Sequence, residues 1–188
     1  MTPDSQSGST SEHRGRSAAR DDSLWLRLER FELDDPESSL PFSHRLAREN
    51  GWRLGYALRV VGEYRRFVYL AMVAGHEVTP SDEVDQAWHL HLLYTRSYWD
   101  AMCGEVLGRS LHHGPTRGGG AERDRYHEQY EATLASYRRL FEREPPVDIW
   151  PGVEQRFQVD SVRVDQRAVW IVSKPGWLRG LLCRIRRR

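Results

Sequence analysis

The chain has 188 residues, a length typical of one domain, and its 39% apolar and 11% aromatic residues are enough to build one core. A formal net charge of +1 excludes an overall field that recruits nucleic acid. No run of about 18 apolar residues is present, and the N-terminus has no apolar h-region. We therefore expect a cytoplasmic protein. All basic residues except Lys174 are arginine, which indicates a GC-rich and hence bacterial genome.

The first half of the chain is predicted to be helical after a tail. Residues 1–22 are rich in Ser, Gly, Asp and Arg and predict a disordered N-terminal tail. Apolar residues spaced by three and four predict an amphipathic helix over 23–35 and a shorter helix over 41–50. The stripe over 52–74 is so wide that it predicts a longer helix buried on more than one side.

The second half begins with a strong helix-start signal. Thr79 is predicted to cap a helix in which Pro80 takes the first position and which runs to about Cys103. A loop over 108–120 follows, and the aromatic stripe over 126–141 predicts another amphipathic helix. The Pro- and Trp-containing segment that comes next is predicted to be a connector.

The period of the apolar residues changes near the C-terminus. Alternating valines over 158–173 predict two short strands joined as a β-hairpin. The predicted fold class is therefore mainly α. A helical bundle of four to five helices occupies residues 23–157, and the small C-terminal β-hairpin packs on it.

Residues 174–188 form a basic amphipathic tail. They carry six positive charges and no acid, so the rest of the chain carries +1 − 6 = −5. Apolar residues alternate with these charges as in an interfacial helix, and each basic residue near anionic lipid contributes about 1 kcal/mol. The residues expected to contact a membrane or a partner are Trp177, Arg179, Arg184, Arg186, Arg187 and Arg188. The alternative is a solvated end that folds back on the acidic body, and nucleic acid is not an expected partner.

The densest group of chemistry-bearing residues lies on the predicted 80–103 helix. Asp85 and His89 are four residues apart and therefore stand one turn apart on the same face. His91 lies about 200° around the helix from His89, at 100° per residue. A regular helix therefore cannot bring both rings to one ion, and His91 is expected to be a hydrogen-bonded packing histidine.

The Asp85–His89 pair is open to three interpretations. It is a polar pair inside the core, in which the carboxylate fixes the imidazole tautomer. It is part of a metal site, because Zn²⁺ accepts carboxylate, imidazole and thiolate ligands, with His113 as the third ligand and His112 or Cys103 as alternates. Or it is a metal-free acid/base pair. An incomplete protein shell around Zn²⁺ would be a catalytic type of site.

A longer motif surrounds this pair: an acid, Trp-His-x-His, a tyrosine, a glycine and a histidine. It consists of Asp85, Trp88, His89, His91, Tyr98, Gly108 and His113. With this Asp-x-x-Trp-His-x-His motif, the segment from about 42 to 157 resembles the glycine-rich domain-containing protein-like family, a domain of unknown function. The resemblance implies that Asp85, His89, His91 and His113 belong together, and it implies no reaction.

The function predicted from these features is a helical protein-interaction module with a buried Asp/His polar cluster. Its partner is an unidentified protein, and its basic tail approaches an anionic membrane, so the protein is cytoplasmic and peripheral at the membrane. The alternatives are a Zn²⁺-type metal-dependent hydrolase that uses Asp85, His89 and a loop histidine, and a structural metal protein with a closed shell. The sequence leaves enzyme activity open.

Overall fold

A computed structural model describes residues 22–114 and 120–158, and this part of the chain is helical, with no strand. The mainly α fold class is confirmed. The predicted disordered tail (1–22), β-hairpin (158–173) and basic tail (174–188) lie outside the described residues, apart from a helix end at each of Asp22 and Gln158. Within the described ranges, no helix is both long and apolar enough to cross a bilayer.

Seven helical segments occur in the described ranges, so the predicted number of four to five is wrong. They are α1 (Asp22–Arg30), α2 (Phe42–Asn50), α3 (Leu54–Val73), α4 (Asp82–Leu93), a π-helix (Arg96–Leu107), α5 (Gly120–Phe141) and α6 (Val153–Gln158). One addition is α6, which begins within the predicted connector. The other comes from a break in the predicted 80–103 helix.

Two helix ends show how local sequence determines the boundaries. Gly51 ends α2 in the left-handed conformation with φ 66°, which glycine adopts without strain, directly after the predicted helix end at residue 50. At α4 the predicted cap is wrong: Ser81, not Thr79, is the N-cap, and its hydroxyl accepts a hydrogen bond from Val84 N–H at 3.3 Å. The N–H of Thr79 instead donates to Thr133 Oγ1 of α5 at 2.9 Å, so Thr79 joins two elements.

The predicted continuous helix is interrupted at Tyr94, which has φ −90° and ψ 65°. Beyond it the chain forms a 12-residue π-helix, a rare structure that is usually a single turn. Its buried side chains are Tyr98, Met102, Cys103 and Leu107, spaced by four, one and four residues. Because an α-helix would bury a similar pattern, the sequence does not reveal the wider turn.

The core is built around α3, which packs against α1, α2, α4 and α5. Its side chains Val60, Tyr64, Phe67 and Leu70 are almost fully buried, which confirms the prediction of a helix buried on more than one side. A carboxylate is buried with them: Glu63 Oε2 accepts from the Tyr137 hydroxyl at 3.0 Å and from the Trp150 indole N–H at 3.1 Å. The other oxygen of Glu63, Oε1, accepts from Arg66 at 3.0 Å, so both oxygens of this buried carboxylate have hydrogen-bond partners.

Candidate metal centre

Asp85, His89 and His113 come together at one point on the surface of α4. Asp85 Oδ2 lies 3.1 Å from His89 Nδ1 one turn along the helix. Asp85 Oδ1 lies 2.8 Å from His113 Nε2, which comes from the loop after the π-helix. The three ligand atoms all lie within 4.8 Å of one another, and the two imidazole centroids are 4.4 Å apart.

The loop that carries His113 is held by a chain of hydrogen bonds. Gly108, with φ 67°, ends the π-helix in the left-handed conformation and allows the chain to turn back. The buried Trp88 indole N–H donates to the Tyr98 hydroxyl at 2.8 Å, and this hydroxyl donates to the carbonyl of Leu111, two residues before His113. The Trp88 ring also packs on the His113 ring, with 4.4 Å between centroids. These contacts place the third imidazole against the helix.

The site is open to solvent on one side. The side chain of His89 is 47% exposed, whereas those of Asp85 and His113 are 23% and 20% exposed. In a Zn²⁺ site with bonds of about 2 Å, neighbouring ligand atoms are about 3.3 Å apart. The separations of 3.1 and 2.8 Å from the carboxylate lie close to this value. These two separations involve different carboxylate oxygens, and the full set of three ligand atoms lies within 4.8 Å.

The two alternate ligands do not belong to this group. The ring of His112 packs against Trp99 with 5.5 Å between centroids, and the residue is exposed. Cys103 is 3% exposed and lies beside the Tyr98 hydroxyl in the core. Among the residues that the structure describes, only Asp85, His89 and His113 come within ligand distance of one another.

His91 lies on the other side of α4 and is fully buried, as the helical geometry predicts. Its Nδ1 is 2.9 Å from the Tyr64 hydroxyl, and its Nε2 is 3.0 Å from Ser97 Oγ. The four rings around it are those of Phe31, Phe42, Tyr64 and Tyr98. Burial lowers the pKa of His91 to about 4 and raises that of Tyr98 to about 12. The imidazole is therefore neutral at pH 7 and packs separately from the candidate metal centre.

A cavity of about 620 Å³, which the sequence does not predict, lies near His91. It is lined by residues of two separate segments, 32–42 and 94–97, including Ser97. Both segments are irregular or at helix ends, so no periodic pattern marks them. No spacing in the sequence signals that they face each other, because the two segments lie far apart along the chain.

A model of an uncharacterised family, described as UCP032817-like, matches residues 47–138, just under half of the chain. The match extends from the end of α2 into α5 and includes the whole candidate metal centre. No curated protein and no solved structure matches the chain. The chain is therefore similar to a domain of unknown function, and the resemblance to the glycine-rich domain-containing protein-like family stays a prediction.

Proposed function

We propose that this protein is a metal-binding helical domain in which Asp85, His89 and His113 hold a divalent ion of the Zn²⁺ type. The observation that carries the proposal is the convergence of three ligand atoms within 4.8 Å from a helix turn and a loop. Two imidazoles and a carboxylate are donors that Zn²⁺ accepts, and the same donor set also serves Fe²⁺ in some oxygenases. Zn²⁺ is the proposed ion because two imidazoles and one carboxylate, with a water molecule, complete the four-coordinate shell of its catalytic sites.

Within this proposal, the chemistry the site supports best is metal-assisted hydrolysis. Three protein ligands leave a coordination position open, and Zn²⁺ in such a site activates water near neutral pH. The exposed edge of His89 borders the solvent side, where a substrate would approach. The Trp88 ring packs on the His113 ring, with 4.4 Å between centroids. Without the ion, Asp85 contacts both imidazoles through its two oxygens, and a bound ion would replace these contacts with bonds to the same two nitrogens.

The test is elemental analysis of tag-free protein, followed by titration of the chelator-treated chain with Zn²⁺. We expect about one ion per chain, bound in a saturable way, and loss of binding in His113→Ala. The neighbouring residue supplies a matched control, because His112 packs on Trp99 outside the ligand group, so His112→Ala should bind like the wild type. No metal in the wild type, or equal binding by the two variants, would overturn the proposal.

Hydrolysis is tested separately with an activated ester as substrate. The Zn²⁺-loaded chain should release the leaving group faster than the chelated chain, and His113→Ala should remove the difference. Metal binding without this gain would leave a structural metal site instead of a hydrolase.

The role of a protein-interaction module stays a prediction, as does the membrane approach of the basic tail. The residues expected to make that contact, from Trp177 to Arg188, lie outside the described residues. The metal site, by contrast, is supported by the contacts among Asp85, His89 and His113.

A further inference from the structure

The cavity between the segment after α1 and the start of the π-helix has the size of a small-molecule site. Its volume of about 620 Å³ falls within the range of about 300–1,000 Å³ in which ligand pockets are found. The rings of Phe42 and Tyr94 both line it and pack edge to face, with centroids 5.5 Å apart. Phe42 is only 2% exposed and lies beneath the half-buried Tyr94 ring, so the Tyr94 ring is the apolar surface on which a flat or aliphatic group can lie.

This aromatic surface is held from behind. Phe42 packs on the buried His91 ring at 5.8 Å, and His91 is in turn 3.0 Å from Ser97 Oγ, which also lines the cavity. The guanidinium of Arg45 lies over the Tyr94 ring at 5.6 Å from its centroid. Because these side chains have fixed partners, the cavity is organised without a ligand, which lowers the cost of binding one.

Charges of both signs line the same cavity without neutralising each other. Asp34 is already occupied, because its two oxygens accept from Ser43 N–H at 2.6 Å and from the Ser43 hydroxyl at 2.7 Å. Glu32 and Asp35 lie on the same segment and are exposed, and Asp35 Oδ1 accepts from Glu37 N–H at 2.9 Å. Arg96 lies on the first turn of the π-helix. Within residues 22–114 and 120–158, no ion pair shorter than 4.0 Å joins Arg96 to an acid.

We propose that this cavity binds a small zwitterion with an apolar body, of the chemical class of the free hydrophobic amino acids. The ligand carboxylate pairs with the guanidinium of Arg96, which offers parallel N–H donors. The ligand ammonium faces Glu32 and Asp35, and the ligand side chain lies on the Tyr94 ring, which Phe42 supports from the core. A zwitterion satisfies both signs of charge at once, which a simple anion or cation does not. This site is independent of the proposed metal centre.

The experiment compares three probes that share a phenyl ring on a short chain and differ in their charged groups. L-phenylalanine carries an ammonium and a carboxylate, 3-phenylpropionate only the carboxylate, and phenethylamine only the ammonium. Binding to the full chain is measured by calorimetry or ligand-observed NMR. We expect saturable binding of L-phenylalanine, and binding about tenfold weaker for each analogue, since each lacks one charge-assisted contact. Equal binding of all three probes, or no saturation by L-phenylalanine in the millimolar range, would overturn the proposal.

A pair of arginine variants tests the position of the ligand. Arg96→Gln should weaken L-phenylalanine and 3-phenylpropionate about tenfold and leave phenethylamine unchanged, because only the carboxylate contact is lost. Arg48→Gln is the matched control, since Arg48 is exposed on α2 and does not line the cavity. Both substitutions are at exposed positions, and circular dichroism checks that the fold is kept. If Arg96→Gln binds L-phenylalanine as the wild type does, the proposed orientation is wrong.

Discussion

Removing the Tyr98 hydroxyl tests whether the hydrogen bonds that hold the His113 loop also support metal binding. Tyr98 is fully buried, and its hydroxyl connects the Trp88 indole N–H, at 2.8 Å, to the carbonyl of Leu111. In Tyr98→Phe both groups lose their partner while the ring still fills its place. The loop that carries His113 then loses its buried attachment to the π-helix.

The size of the effect follows from the two lost contacts. A buried donor left without a partner costs about 1–3 kcal/mol, so the free energy of unfolding should fall by about 2 kcal/mol. Residues that orient metal ligands without touching the ion typically change affinity by about 10–100-fold. We therefore expect the Zn²⁺ affinity of Tyr98→Phe to fall by at least about tenfold, because His113 is no longer held near Asp85.

Urea unfolding measures the first quantity, and competition with a chromophoric chelator measures the second. Tyr130→Phe is the control, because the Tyr130 hydroxyl also donates to a backbone carbonyl, that of Pro151 at 2.8 Å, but away from the metal centre. It should lose about 1 kcal/mol of stability and bind Zn²⁺ like the wild type. If Tyr98→Phe loses stability and keeps wild-type affinity, or if both variants lose affinity equally, the proposed role of Tyr98 is refuted.

Two further predictions concern His91 and Gly108. Because burial lowers the pKa of His91 from 6.5 to about 4, protonation favours the unfolded chain. With metal removed by a chelator, the neutral His91 should contribute about 3 kcal/mol to the free energy of unfolding above pH 6.5, and this contribution is lost as pH falls toward 4. In His91→Gln, the free energy of unfolding measured with urea should fall less steeply over the same pH range. Gly108→Ala places a Cβ where nothing lies within 4 Å but φ is 67°, so it should cost about 1 kcal/mol and weaken Zn²⁺ binding. Gly55→Ala, also without contacts but inside α3, should instead stabilise the chain by about 0.5 kcal/mol, and the same sign for both substitutions would contradict the strain argument.

The elements that could be predicted from the sequence are those that local geometry controls. The wide stripe of α3 and the glycine that ends α2 follow from side-chain period and backbone preference. The separation of His89 and His91 follows from the rotation of 100° per residue along a helix, and the structure places one at the surface and the other in the core. Each of these depends on residues only a few positions apart.

The predictions that are wrong share a different cause. Thr79 is a good cap by residue type, but its backbone is used by Thr133, 54 residues away, and the cap moves to Ser81. The helix predicted to reach Cys103 breaks at Tyr94, although the apolar pattern continues across the break. In both places tertiary contacts override a local preference of about 1 kcal/mol, which is small beside the energy of core packing.

By itself, the sequence determined a mainly α chain and the pairing of Asp85 with His89 one helical turn apart, because both depend on short-range geometry. The sequence favoured His113 with His112 as an alternate, and only the tertiary structure decided between these two loop histidines. His112 and His113 are equivalent in composition and almost in position, yet the bond from Tyr98 to Leu111 and the contact with Trp88 turn His113 toward Asp85 and leave His112 against Trp99. The physical reason is that the direction of a loop side chain is set by long-range contacts, which no local spacing encodes.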